Sequence, residues 1–170
     1  VGRLTEAKNF GFLIRSFKVL QDQNPETRLL ILGEGELRAE FEALVVDLGL
    51  KDVVDLPGFD ANPYAYFKYA SLFVLSSNWE GLPGVLIQAL ASKVKVVSTN
   101  CPSGPMEILE NSKFGLLVEC NDQAGLTQAM QQAIFADYVQ YQDADFESHI
   151  QQFHKQTVLK QYLRMMESAA

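Results

Sequence analysis

A doubly wound α/β domain, with a parallel six-stranded Rossmann-like sheet and helices on both faces, is the fold class this sequence predicts. Three observations predict it. Short, continuous apolar runs suited to strands buried on both faces occur at residues 28–32, 53–56, 72–75, 94–98 and 115–118. Stretches with apolar residues at helical spacing alternate with them, the strands recurring about every 20 to 25 residues. With 170 residues, 48% of them apolar, the chain can bury one substantial core as a single domain.

In chain order, residues 1–4 read as the end of a first strand, and Phe10, Leu13, Ile14, Phe17 and Leu20 then recur on a helical face until Pro25 closes the segment. The run at 28–32 is the second strand. Gly33, Glu34 and Gly35 turn the chain into a helix carrying Leu37, Phe41, Leu44, Val45 and Leu48, with Gly49 as its carboxy-terminal cap. Residues 53–56 form the third strand and end at Pro57, Gly58 and Phe59. Asn62 and Pro63 start a brief helical turn whose aromatics, Tyr64, Tyr66 and Phe67, are expected in the core. After the fourth strand at 72–75 and its helix, residues 94–98 give a fifth, and the loop NCPSGP at 100–105 leads to a short helix with Glu107 in its first turn. Residues 115–118 are the sixth strand, and Asp122 is a fitting N-cap for a helix carrying Leu126, Met130 and Ile134. From Asp145 the pattern stays helical to the end. There Phe146, Ile150, Phe153, Val158, Leu159 and Tyr162 either cover the domain edge or reach a partner domain, so residues 146–170 are a helical extension of a domain spanning 1–170.

The stretch WEGLPGVLIQAL at 79–90 organises the chain. Glu80 and Gly81 make a turn, Pro83 fits the first turn of a helix, and Val85, Leu86, Ala89 and Leu90 share a face. The first N–H groups of such a helix lack partners and the helix dipole is positive there, so an anion, and first of all a phosphate, is a natural occupant. Glu80 and Gln88, about two helical turns apart, are placed to bond hydroxyls flanking a diphosphate. A buried helix start carrying a surface Glu is the alternative the spacing leaves open. In a doubly wound sheet the loops at the carboxyl ends of the strands line one crevice. Arg3, Lys8, Gly33, Gly35, Phe59, Glu80, Gly81, Leu82, Pro83, Gly84, Val85 and residues 103–107 all map to that edge, where two cations suit a diphosphate.

Fourteen Lys and Arg against 21 Asp and Glu give a net charge of −7, which argues against a surface that tracks nucleic-acid phosphates. Cys101 and Cys120 form no CxxC pair, and the only histidines are His149 and His154, so neither a zinc site nor a disulfide framework is indicated. A reducing cytoplasm is the compartment expected. No run approaches the ~20 apolar residues of a membrane span. The chain begins at Val1 within an apparent strand, from which a longer protein with a partner domain is expected.

Read together, the blocks VGRLTEAKNF, LLILGEGELR, VVDLPGFDANPYAYFKYA, LFVLSSNWEGLPGVLIQALA and VKVVSTNCPSGPMEIL resemble the carboxy-terminal domain of family 4 retaining glycosyltransferases, in order and through about Val118. The resemblance implies a two-domain GT-B fold in which this half binds a nucleotide-sugar donor and an absent amino-terminal domain binds most of the acceptor. It implies that Arg3 and Lys8 clamp the donor diphosphate and neutralise the leaving nucleotide with no metal or other cofactor. The backbone of Gly81, Leu82, Pro83, Gly84 and Val85 would complete the phosphate cradle, and Glu80 would orient the transferred sugar. Gly33, Gly35 and Phe59 would lie near ribose and base.

One position departs from the family pattern. The Glu, seven residues, Glu motif ends here in Gln88, at the ribose-binding position. The implied function is a hexosyltransferase using a nucleotide sugar, UDP-linked, on a glycan or lipid-linked acceptor in surface polysaccharide assembly. The implied setting is the cytoplasm or the inner face of the plasma membrane, with peripheral membrane association, and the isolated domain is expected to be inactive. Two readings compete: a nucleotide-sugar-binding module without turnover, and a flavodoxin-like or nicotinamide-binding domain, against which the missing GxGxxG counts.

Overall fold

The computed structural model describes residues 1–136, 138 and 145–168. A single 3₁₀ turn, Glu6–Lys8, precedes α1 (Phe10–Gln23), β1 (Leu29–Leu32), α2 (Arg38–Asp47), β2 (Val54–Gly58) and α3 (Tyr64–Phe67). The second half runs β3 (Phe73–Leu75), α4 (Gly84–Ala91), β4 (Val96–Thr99), α5 (Pro105–Ile108), β5 (Leu116–Val118), α6 (Gln123–Phe135), α7 (Phe146–Gln151) and α8 (Lys155–Ser168). Every strand pairing is parallel, in two sheets ordered β1-β2 and β3-β4-β5. The α/β class with parallel sheets flanked by helices is therefore as the sequence predicts.

The two faces are separated by strand alternation. Val97 of β4 packs in one cluster with α1, α2 and α6, through Ile14, Phe17, Phe41, Leu126 and Met130. Its neighbour Val96 packs in the opposite cluster with Leu86, Leu90, Ile108, Phe114 and Phe146. Apolar residues on both sides of a strand are what a parallel sheet covered by helices requires. α1 starts at Asn9, whose side chain accepts from Phe12 N–H, and it stops before Pro25, which disfavours helix at the preceding residue. Asp122 caps α6 as expected, accepting from Gly125 N–H at 2.9 Å.

Three expectations need correction. Residues 1–4 are not a strand, so the described residues hold five strands and not six. They are extended, with Gly2 N–H donating to Leu32 O (2.9 Å) and Leu4 N–H to Glu34 O (2.8 Å). What they face is mostly the turn after β1, where Gly33 at φ +151° ends the regular ladder. Of the aromatics of α3, Phe67 alone is core, edge-on to Phe73 at 5.6 Å, while Tyr64 is exposed and the half-buried Tyr66 donates to Asp60 Oδ2 at 2.8 Å. The carboxy-terminal helix is two helices: α7 is anchored by buried Phe146 and His149, and α8 leaves Leu159, Tyr162 and Leu163 exposed. Among the described residues no helix is long and apolar enough to cross a membrane.

Candidate functional site

At the carboxyl edge of the strands, the 3₁₀ turn is bound to the loop that follows β3. Asn78 N–H donates to Ala7 O (2.8 Å) and Asn78 Nδ2 to Glu6 O (3.0 Å). Ser76 Oγ donates to Lys8 O (2.9 Å), and Asn9 Nδ2 donates to Asn78 Oδ1 (2.9 Å). From behind, buried Thr99 at the end of β4 donates its hydroxyl to Ser77 O (2.7 Å). The Thr99–Ser77 bond is buried, so leaving it unmade would cost its full desolvation, and it fixes the Ser77 backbone closely.

This bracing brings Lys8 and Glu80 together across 72 residues of chain. Lys8 Nζ lies 2.7 Å from one Glu80 carboxylate oxygen and 2.8 Å from the other, and Ser77 Oγ donates to the first of them at 2.6 Å. The Glu80 side chain is only 8% exposed and that of Lys8 22%, so this is not the surface glutamate that the spacing alone allows. Glu80 N–H is held by Pro102 O at 3.3 Å, which ties the turn to the loop after β4.

Immediately beyond, the chain opens. Gly81, Leu82 and Gly84 are exposed, and a Cβ added at either glycine would meet nothing within 4 Å. Pro83 is the N-cap of α4 and not part of its first turn, and no side chain caps the helix. The N–H groups of Gly84 and Val85 thus begin the helix beside open space. Gln88 lies one turn further on the face of Gly84, half-buried, its side-chain amide without a hydrogen-bond partner among the described residues. Gly104 closes the other side: at φ +96°, its Cβ would come 2.4 Å from Pro83 Cδ and 3.0 Å from Gly81 O, so only glycine lets the two loops meet. Next to this contact is a hollow of about 600 Å³ lined by Asn100, Ser103, Met106, Glu107 and Asn111 among others.

Arg3 is exposed, and among the described residues its side chain makes no hydrogen bond or ion pair. Its backbone is held between the two bonds from Gly2 and Leu4 described above. Gly33 and Gly35 are what make that possible, since a Cβ at Gly33 would lie 1.8 Å from Gly2 O and one at Gly35 2.4 Å from Leu4 O. The two glycines touch the Arg3 segment directly, and Gly33 is buried. Phe59, just past the end of β2, is 76% exposed. Both cysteines are free, and the thiol of Cys101 is pushed up by burial and by nearby Cys120, so neither is poised as a nucleophile. No group of three His, Cys, Asp or Glu able to hold a metal occurs among the described residues.

The bracing residues Asn9, Ser77, Asn78 and Thr99 and the packing role of Gly104 escape a reading by periodicity. Small polar residues directly after an apolar strand are the one signal that points to Ser76 and Ser77.

Residues 1–147 match the family model described as glycosyl transferases group 1, and the chain belongs to that family. It is 41% identical over 130 residues to the Campylobacter jejuni N-acetylgalactosamine-N,N'-diacetylbacillosaminyl-diphospho-undecaprenol 4-alpha-N-acetylgalactosaminyltransferase, covering 76% of this chain and 35% of that protein. Its fold matches S. aureus TarM, solved with UDP and saccharide ligands, at a TM-score of 0.86 and 23% identity over 96% of this chain and 34% of the other. It also matches the C-terminal domain of LpcC, a group 1 family protein from Francisella tularensis, at a TM-score of 0.70 and 24% identity, covering 95% of this chain and 83% of that one. The chain spans between 27% and 48% of the length of the first curated relatives it matches. The architecture is the carboxy-terminal half of a GT-B glycosyltransferase, as the sequence implies.

Proposed function

We propose that this chain is the donor-binding domain of a retaining hexosyltransferase that moves a sugar from a UDP-sugar to a glycan or lipid-linked acceptor in surface polysaccharide assembly. The observation that carries the reading is the open, uncapped start of α4 beside the braced Lys8–Glu80 pair. The diphosphate rests on the N–H groups of Gly84 and Val85, where the helix dipole favours negative charge. Lys8 spends two of its three N–H donors on Glu80 and keeps one for a phosphate oxygen, while Arg3, otherwise unpaired, closes from the other side. Gln88 receives a ribose hydroxyl, and Gly33, Gly35 and Phe59 border the nucleoside.

In the reaction, the bond from the anomeric carbon to the diphosphate oxygen breaks and both its electrons leave with UDP. Charge developing on that oxygen is what Arg3, Lys8 and the helix start stabilise, with no metal called for. The acceptor hydroxyl forms its new bond on the same face of the sugar, and its proton passes to the departing diphosphate. Glu80, oriented by Lys8 and Ser77, holds sugar hydroxyls and positions the anomeric carbon. The acceptor sits on the domain missing from this chain, and the reaction takes place on the cytoplasmic side, at the inner face of the plasma membrane. Support comes from the UDP bound in TarM and from the undecaprenol-linked substrate in the name of the Campylobacter relative.

Titration calorimetry of the full-length protein with UDP, GDP and ADP, with and without a chelator, tests this. UDP binds, chelation changes nothing, and Arg3→Ala or Lys8→Ala weakens binding at least about tenfold, the value of one charge-assisted contact. Failure of all three nucleotides to bind, or indifference to both substitutions, overturns the reading. The neutral Gln88 favours a second reading, a binding module without turnover. Binding without release of UDP from any UDP-hexose, with or without an acceptor glycan, would establish it.

A further inference from the structure

The hollow next to Gly104 is walled in part by Glu110 and Asn111, in a turn with an unusual backbone. After α5, Glu110, Asn111 and Ser112 take φ of +43°, +54° and +75° in succession. This left-handed region is disfavoured for residues that carry a Cβ, and it persists only where surrounding contacts hold it. Part of the hold is local: Asn111 N–H donates to Met106 O (3.0 Å) and Phe114 N–H to Leu109 O (3.1 Å). The rest comes from α7.

His149 of α7 is buried, at 4% exposure, and the proposed reaction does not use it. Its Nε2 lies 2.7 Å from Ile108 O, the last carbonyl of α5, which can only accept, so Nε2 carries a proton. Its Nδ1 has two neighbours, Glu110 Oε1 at 2.8 Å and Gln152 Nε2 at 2.6 Å. They make opposite demands. The carboxylate requires a proton on Nδ1, which makes the ring a cation, whereas the amide N–H of Gln152 requires a bare lone pair, which leaves the ring neutral. One ring nitrogen has one in-plane site and satisfies one partner at a time. Phe114 lies against the ring at 4.6 Å between centroids and Phe153 stands edge-on at 5.3 Å, so the ring is packed in place.

The other charges around the pair are Lys113, 3.6 Å from Glu110 Oε2 and 3.2 Å from Asp145 Oδ2, and Glu147, which pairs with Lys93 at the end of α4 at 2.6 Å. Lysine, aspartate and glutamate ordinarily keep their charge between about pH 5.5 and 8, where histidine changes its own. His154, two residues beyond Gln152, is the other histidine of the chain.

We propose that His149 is a proton-operated latch. Protonated, it donates from Nδ1 to Glu110 and fixes the left-handed turn 110–112 against α7, while exposed Gln152 turns to water. Neutral, it accepts from Gln152 and lets Glu110 and the turn go. Acidity thus sets whether this wall of the hollow is held, and the inference stands if the donor reading fails.

Nitrogen NMR of the His149 ring and amide hydrogen exchange of the turn test it, at about pH 5.5 and about pH 8. The ring is expected to carry protons on both nitrogens at the lower pH and on Nε2 alone at the higher. Exchange at Asn111, Lys113 and Phe114, corrected for its intrinsic pH dependence, is expected to be about tenfold faster at the higher pH. Glu110→Gln alters an exposed side chain and should keep the fold. Its amide can accept from the protonated ring or donate to the neutral one, so the turn should stay held at both pH values. His154→Gln should leave the wild-type response intact. Turn exchange that is equal at the two pH values in the wild type, or a response that survives Glu110→Gln, overturns the proposal. So does a neutral ring protonated on Nδ1, or a response lost with His154→Gln.

Discussion

Removing the Lys8 ammonium while keeping its aliphatic stem, by Lys8→Met, isolates the ion pair at the centre of the site. At 2.7 Å and an effective dielectric constant near 20, the attraction is about 6 kcal/mol before desolvation is counted. Glu80 is nearly buried while Lys8 retains some access to water, so the loss falls below the 3–5 kcal/mol typical of breaking a fully buried pair, at about 2–3 kcal/mol. Most of that loss reflects a carboxylate left with Ser77 Oγ as its remaining partner. The double variant Lys8→Met/Glu80→Gln should therefore be more stable than Lys8→Met alone by at least about 1 kcal/mol, since an amide can still accept from Ser77. Urea unfolding of the four proteins in the cycle measures this. Additive losses, or a Lys8→Met cost below about 0.5 kcal/mol, would show that the pair is an exposed contact of no consequence and refute the account of Glu80 as a held group.

Gln88→Glu should tighten UDP binding roughly tenfold, because a charged acceptor contributes about 1.5–3 kcal/mol against about 0.5–1.5 for a neutral one; calorimetry showing equal or weaker binding with the fold intact removes Gln88 from the ribose. Gly104→Ala forces a Cβ onto Pro83 and Gly81 at a positive φ, so it should cost about 1–3 kcal/mol in thermal unfolding and weaken UDP binding by moving the start of α4. For the chain with a free amino group at Val1, burial and the charge of Lys8 lower that group from 8.0 to about 5. The unfolded chain then binds the extra proton between those values, so stability rises as pH increases from about 5 to 8, by up to about 3–4 kcal/mol at about 1.4 kcal/mol per unit. Acetylating Val1 should flatten the profile, and a slope that survives acetylation would point to another group.

Much of the architecture was legible because it rests on local patterns. Each apolar run at 28–32, 53–56, 72–75, 94–98 and 115–118 contains or overlaps a strand, and Asn62, Pro63 and Asp122 stand at helix starts as their chemistry dictates. Residues 1–4 misled because a run such as VGRL carries strand propensity without saying what it pairs with, and the turn at Gly33 takes the place of a partner strand. Tyr64 and Tyr66 misled in the opposite way: aromatic character does not reveal which face of a four-residue helix meets the core. At the site, residue types and loop positions marked Lys8, Glu80 and the Gly81 turn. The direct Lys8–Glu80 contact and the bonds from Asn78 to residues 6 and 7 span about seventy positions, and no periodicity encodes them.

The bonds joining residues 6–9 to residues 76–78 have a consequence for how variants of this protein behave. They serve at once as the seam between two halves of the molecule and as the scaffold of Lys8 and Glu80. Damage there loosens the seam and disables the chemistry in the same stroke, so a lost activity at Asn78 or Ser76 is uninterpretable until the folded fraction has been counted. By the same coupling, any ligand that grips Lys8 clasps the two halves together, and its presence should register as heat resistance across the whole domain before any product is formed.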